Sequence, residues 1–243
     1  ALSLNFIIII EKYVGDIILV FAIIYLIYYL KNSNNKIEII KLFFFVTSIT
    51  FILIFLSNIN RPDAGFYHLP YISILHENKL IVGLANIHYR FGHTSILQYL
   101  SSIFYNNFFK IEFVTLPIAS ILGYFFYFLI KLYFHGSLQI KKNNIFVLLF
   151  VIFSFYSFSR YSNFGNDTLS HLIFFLIIIN LLDIKNFKNP SNIEIFKILL
   201  LAIFAFTNKT FMLLTLIIPT LLLIQKYFYN NKLNKLINKK FFL

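Results

Sequence analysis

The chain has 243 residues, of which 59% are hydrophobic and 12% charged, with a mean hydropathy of +0.80. A soluble domain carries about 25% charged residues, so a water-soluble globule is excluded and an all-α, polytopic membrane protein is expected. The formal charge of +12 does not point to nucleic acid, because most lysines fall in short loops between apolar segments, where they set topology, and the lack of cysteine excludes disulfides and thiolate metal sites.

The opening "ALSLNFIIII" has no charged n-region of a signal peptide. It reads as the tail of another apolar span, so the sequence is expected to be a fragment of a longer protein, with one transmembrane domain over 1–243. Spans are expected at about 14–30, 42–58, 113–134, 144–159, 169–184, 195–207 and 211–229, near the ~20 apolar residues a bilayer-crossing helix needs. The connections alternate in charge. Segments 31–41, 131–142, 185–197 and the tail from Lys226 hold fourteen of the twenty-one Lys and Arg, whereas 59–112, 160–168 and 208–210 hold six. The positive-inside rule places the first set in the cytoplasm and the second outside. The outer set contains all three arginines, Arg61, Arg90 and Arg160, and four of the six histidines, His68, His76, His88 and His93.

The outer loop 59–112 is the only long one. Its first part, "NRPDAGFYHLP", predicts a short helix capped by Asp63 and ending near Pro70. "IVGLANIHYRFGH" has two glycines among aromatic and basic residues, the composition of an irregular binding loop. "TSILQYLSSIFYNNFF" (94–109) places Ile96, Leu97, Leu100, Ile103, Phe104 and Phe108 at helical spacing, with Ser, Gln and Asn opposite. That pattern predicts an amphipathic helix lying in the membrane interface, capped by Thr94.

Asp63 has two readings. A partly desolvated carboxylate at the membrane surface, beside Arg61, Tyr67 and His68, suits a general base that takes a proton from an acceptor hydroxyl. In Pro62-Asp63-Ala64 it also suits a plain helix N-cap. Asp167, just before a span in "SNFGNDTLSHL", has the same two readings: a cap, or a second acidic group on the outer face near Arg160. His171 follows one turn into that span, either facing the same cavity or making an interhelical polar contact. Lys209 is the single charge in "LLLAIFAFTNKTFMLLTLIIPTLLLI". A lysine at an apolar hairpin tip on the outer side marks a functional site, with a phosphate or an aspartate as partner, or else snorkels to the surface. The outer histidines lack an i, i+4 pair or a compact ligand set, so no metal is expected.

In order and spacing, residues 42–229 resemble the GT-C superfamily of polytopic glycosyltransferases, which use polyprenyl-phosphate sugars and include protein O-mannosyltransferases and the lipid A aminoarabinose transferase. The resemblance rests on "SNINRPDAGFYHLPYI" with Asp63 near the start of the first outer loop, on "GHTSILQYLSSIFY", on Asp167 before a span, and on the "LLLAIFAFTNKTFMLLTLIIP" hairpin with Lys209. It departs from the family in having one acidic residue where many members have a pair, in "TNK" for Thr-Lys, and in the absence of further carboxy-terminal elements. The resemblance implies a bacterial inner-membrane enzyme with its site facing the periplasm and no cofactor, the lipid-linked sugar being a substrate. Asp63 would be the catalytic base and Asp167 a second acidic, site-shaping residue. Lys209, Arg90 and Arg160 would bind the donor phosphate, and Arg61, Tyr67, His68 and His93 would contact substrate. Expected partners are membrane lipid, a polyprenyl-phosphate sugar, and a glycan, lipid or protein acceptor, with no nucleic acid.

Two other classes compete. An O-antigen polymerase- or ligase-like protein, with a pyrophosphate-linked donor, would depend more on its arginines than on Asp63. A transporter or flippase would show mid-membrane charges and two related halves, and the apolar runs show neither; a non-catalytic membrane protein is the remaining alternative.

Overall fold

The computed structural model describes residues 5–55, 64–92, 95–135, 144–156, 167–187 and 189–241. Among these, every regular element is helical. Backbone N–H and C=O groups in apolar surroundings must be paired within the chain, which a helix does along its length. The α-helices are α1 Lys12–Asn32, α2 Lys36–Phe55, α3 Leu69–Glu77, α4 Ile96–Ile103, α5 Leu116–His135, α6 Asn144–Tyr156, α7 Asp167–Leu182, α8 Asn192–Asn208 and α9 Ile217–Phe241.

Among the described residues, four helical stretches are long and apolar enough to cross a bilayer: Lys12–Asn32, Lys36–Phe55, Ile111–Leu132 and Thr210–Tyr229. The other three expected spans also fall on helices, whose described parts in α6, α7 and α8 have 13, 16 and 17 residues, against the ~20 that a span needs. The first two spans have only 11% of their apolar windows buried within the protein, against 56% for Ile111–Leu132. Phe21, Tyr25, Phe44 and Phe51 stand out from them. Exposing such surface to water costs about 25 cal/mol per Å², so these faces suit lipid.

The chain forms two compact units. The first comprises residues 1–131 and 151–169. Here α2 and α5 approach so closely that a Cβ on Gly123 would lie 3.0 Å from the carbonyl oxygen of Val46. The loop between α2 and α5 has a core of Tyr71, Leu75, Leu84, Tyr99 and Ile103, to which Ile10, just before α1, is added. It meets α1 at Gly15, where any Cβ would collide with the main-chain carbonyl of Ile103. Asp16 then accepts hydrogen bonds from the Asn107 backbone N–H (3.1 Å) and side-chain amide (2.6 Å).

Two features of the loop differ from the sequence expectation. The helix in 94–109 is shorter, Ile96–Ile103, and it is not an interfacial helix with a wet face. Its polar residues Gln98, Ser101 and Ser102 are buried along with Leu97, Tyr99 and Ile103. Local hydrogen bonding makes this possible, since Ser102 Oγ donates to the Tyr99 carbonyl and the Gln98 amide reaches His68. The cap is Ser95, whose hydroxyl accepts from the Leu97 N–H at 3.1 Å; Thr94 lies outside the described residues. Secondly, Pro70 does not end a helix. A π-helical turn, Ala64–His68, runs into α3, with Pro70 in the first turn of α3. Proline has no N–H and its ring crowds the carbonyl four residues back, and the wider i→i+5 turn accommodates both.

The second unit comprises residues 132–150 and 170–243. Ser191 and Glu194 form a reciprocal capping box at the start of α8, worth about 1 kcal/mol. Ile195, Ile198, Ala202 and Ala205 line the buried face of α8. A 3₁₀ segment, Thr210–Leu216, leads from it into α9, and Thr215 donates to the Met212 carbonyl at 2.7 Å. Lys226 of α9 donates to the Pro190 carbonyl (2.9 Å) and to Asn192 (2.7 Å), tying α9 to the start of α8.

The approach at Gly15 gives a direct test of how the loop is seated. Gly15→Ala should lower stability by about 1–3 kcal/mol, the usual scale of overpacking, although alanine is the better helix former. Thermal unfolding of the purified chain in micelles, followed by circular dichroism, checks the sign.

Candidate functional site

The π turn places two neighbouring side chains in different surroundings. Tyr67 is half-buried at the loop surface, while His68 is buried. Their rings lie 4.1 Å apart, and His68 Nδ1 sits 3.4 Å from the Gln98 side-chain nitrogen. Since an amide nitrogen only donates, Nδ1 is the acceptor there. π turns occur often at functional sites.

Arg90 lies on the short 3₁₀ turn Tyr89–Gly92. Its guanidinium carbon is 4.9 Å from the centre of the Tyr67 ring and 5.3 Å from that of Tyr89. Nε donates to the Tyr89 hydroxyl at 2.9 Å, and Nη1 reaches the Tyr67 hydroxyl at 3.4 Å. The Arg90 backbone N–H donates to His88 Nδ1 (3.2 Å), and the His88 ring stacks on Tyr89. The irregular character expected for 81–93 is present: two 3₁₀ turns, Leu84–Asn86 and Tyr89–Gly92, follow Gly83, whose φ of 90° favours glycine. Tyr67, His68, Arg90 and Gln98 therefore form one connected group on the folded loop.

The remaining candidates stand as follows. Arg61, Asp63, His93 and Arg160 lie outside the described residues; the described chain is already helical at Ala64, next to Asp63. Asp167 is the exposed first residue of α7, where a carboxylate faces the positive end of the helix dipole. His171 is exposed on the same helix. Lys209, in the second unit, is the extended residue between α8 and the 3₁₀ segment. It is half-buried, with its ammonium 5.1 Å from the Phe211 ring centre. Burial pushes the Lys209 ammonium below the ordinary lysine range. The preceding residue, Asn208, is buried and donates to Ser170 of α7 at 2.6 Å, which fixes the hairpin tip. Among the described residues, no three His, Asp or Glu side chains gather as a metal ligand set would.

Several polar residues that organise the loop have no sequence signal beyond residue type. The Tyr71 hydroxyl donates to that of Tyr99 at 3.2 Å in the loop core, and burial, with Tyr99 beside it, raises the Tyr71 phenol above its ordinary range. His76 Nε2 donates to the Ser102 carbonyl at 2.9 Å and its ring packs edge-on against Tyr105. Asp16 is the third case; the only hint is an aspartate in an apolar helix and a pair of asparagines, Asn106 and Asn107, far along the chain.

Burial lowers the His76 pKa, with Lys12 adding to it, against the opposing pull of the Ser102 carbonyl and Glu77. A depressed histidine binds protons less readily folded than unfolded. Its contribution to stability is therefore complete above the unfolded value of about 6.5 and is lost as pH falls through the lower folded value. His76→Gln should thus be less stable than the parent at pH 7.5, with a gap that narrows towards pH 5. Unfolding midpoints across that range measure it, and a gap that widened on acidification would contradict the assignment.

The comparison with curated proteins finds no match, and neither does the comparison with solved structures. One family model matches, and it covers residues 1–243. The chain belongs to that family, DUF8201, described as a domain of unknown function.

Proposed function

We propose that the chain is a membrane glycosyltransferase of GT-C type, moving a sugar from a polyprenyl-phosphate donor to an acceptor hydroxyl on a glycan, lipid or protein at the outer face of a bacterial inner membrane. The observation that carries this reading is the Arg90 group. A guanidinium is held against two tyrosine rings on a compact loop beside the π turn that follows Asp63. A planar fork fixed in this way suits two parallel hydrogen bonds to a phosphate. Lys209, at its apolar hairpin tip in the second unit, is a further cation that this reading assigns to a phosphate.

In the proposed reaction the acceptor oxygen attacks the anomeric carbon and Asp63 takes its proton. The carbon–oxygen bond to phosphate breaks with inversion, and polyprenyl phosphate leaves as the anion. Positioning and charge stabilisation supply most of the acceleration. Arg90, Arg160 and Lys209 hold the leaving phosphate, Asp167 shapes the site, and Arg61, Tyr67, His68 and His93 contact sugar or acceptor.

A second reading has one specific observation in its favour. The described polar residues of the loop gather around an arginine, as an O-antigen polymerase- or ligase-like protein with a pyrophosphate-linked donor would require. Sugar transfer in proteoliposomes separates the two. Asp63→Asn should reduce transfer from a polyprenyl-phosphate donor by at least about 100-fold, the lower end for a general base, with membrane insertion unchanged, and Arg90→Ala should reduce it by about tenfold. Full activity in Asp63→Asn together with loss in Arg90→Ala would replace the first reading by the second.

A further inference from the structure

A cavity of about 420 Å³ lies in the first unit, between α1, α2 and α5, at the ends of these helices that flank the turn after Asn32. It is remote in sequence from the loop residues of the candidate site. Its origin is the tight contact between Gly123 and Val46. One to two turns beyond that contact, large side chains face each other and the helices leave a gap.

The lining is graded in polarity. Ser33 and Asn35 belong to the turn, and Glu38 and Lys131 come next along α2 and α5. Ile39, Leu42 and Phe128 follow, with Tyr29, Tyr124 and Tyr127 on the walls. From Lys131 to Tyr124 the helix rises about 10 Å, so the cavity passes from a charged end to an apolar one within the depth of a headgroup region. Glu38 and Lys131 carry opposite charges 3.6 Å apart, and both are more than half exposed. That spacing is longer than a charge-assisted hydrogen bond, so each ion can take a further partner. Tyrosines at this depth are amphipathic and typical of the membrane interface.

We infer that this cavity binds the headgroup of a zwitterionic phospholipid bearing a primary ammonium, with the ammonium at Glu38, the phosphate at Lys131, and the start of the acyl chains against Ile39, Leu42 and Phe128. Two opposite charges side by side favour a ligand that also carries both. An anionic lipid would match Lys131 but meet Glu38 with like charge, and a purely apolar chain would engage neither ion of the pair. The inference rests on the membrane reading of the spans and not on the proposed transferase activity.

Native mass spectrometry of the full chain, with phosphatidylethanolamine and phosphatidylglycerol supplied at equal concentration, tests it. The parent should retain the ethanolamine lipid preferentially. Glu38→Gln should reduce that preference by about tenfold, the effect of one charge-assisted hydrogen bond, and Lys131→Gln should weaken retention of the ethanolamine lipid to a similar degree. Both positions are exposed, so elution and thermal midpoint should be unchanged and a loss will report binding. Soluble glycerophosphoethanolamine at the same concentration should fail to displace the lipid. Equal retention of phosphatidylglycerol, no change in either variant, or displacement by the soluble headgroup would each overturn the inference.

Discussion

The loop between α2 and α5 is anchored to the apolar helices of the first unit where α1 meets α4. Gly15 has no side chain, so the Ile103 carbonyl can press against the helix. One residue on, Asp16 holds the Asn107 backbone and side chain. These neighbours act in complementary ways, one removing bulk and the other adding hydrogen bonds. Together they fix the end of α4, and α4 in turn supplies Tyr99, Gln98 and the Ser102 carbonyl to the partners that order the rest of the loop. The position of Arg90 depends on this chain of contacts, because Tyr67, against which it packs, lies beside His68, the residue paired with Gln98.

The polar groups of the loop are used as interior structure. Hydrogen bonds among buried groups strengthen in a low-dielectric setting, and leaving one unpaired is costly. The buried Tyr71 and Gln98 contacts and the half-buried His76 contact therefore restrict the loop to one arrangement more tightly than apolar packing would. A rigid loop suits a site that must hold charged groups at defined places, since a mobile one would spend binding energy on ordering itself.

The helical segments were legible from the sequence because apolar runs carry their signal locally. The expected start of the first span at about 14 and the observed start of α1 at Lys12 differ by two residues, and Lys209 was correctly placed at a hairpin tip. The interior of the loop was not legible. A serine or glutamine opposite an apolar stripe has the same pattern whether it faces water or a buried partner, and the partners here lie 26 to 30 residues away. Which apolar helices are long enough to cross a bilayer was hard to read for a related reason. Apolar residues continue into turns and 3₁₀ segments, so hydropathy alone does not report where an α-helix stops. Of the site, the sequence indicated residue types and the structure added which of them touch: Tyr67 with Arg90, and His68 with Gln98.

The π turn at Ala64–His68 has a consequence for chain length. It accommodates one more residue than an α-helical turn would. A single-residue deletion there could revert to regular helix without loss of hydrogen bonding, yet it would turn the preceding chain by about 100° about the axis, the angle one residue subtends. The chain entering the turn would then arrive on a different side of the axis, while α3 and the loop core stayed in place. The turn therefore sets the phase at which the chain enters α3, and length variants at 64–68 change that phase without touching the residues of the loop core.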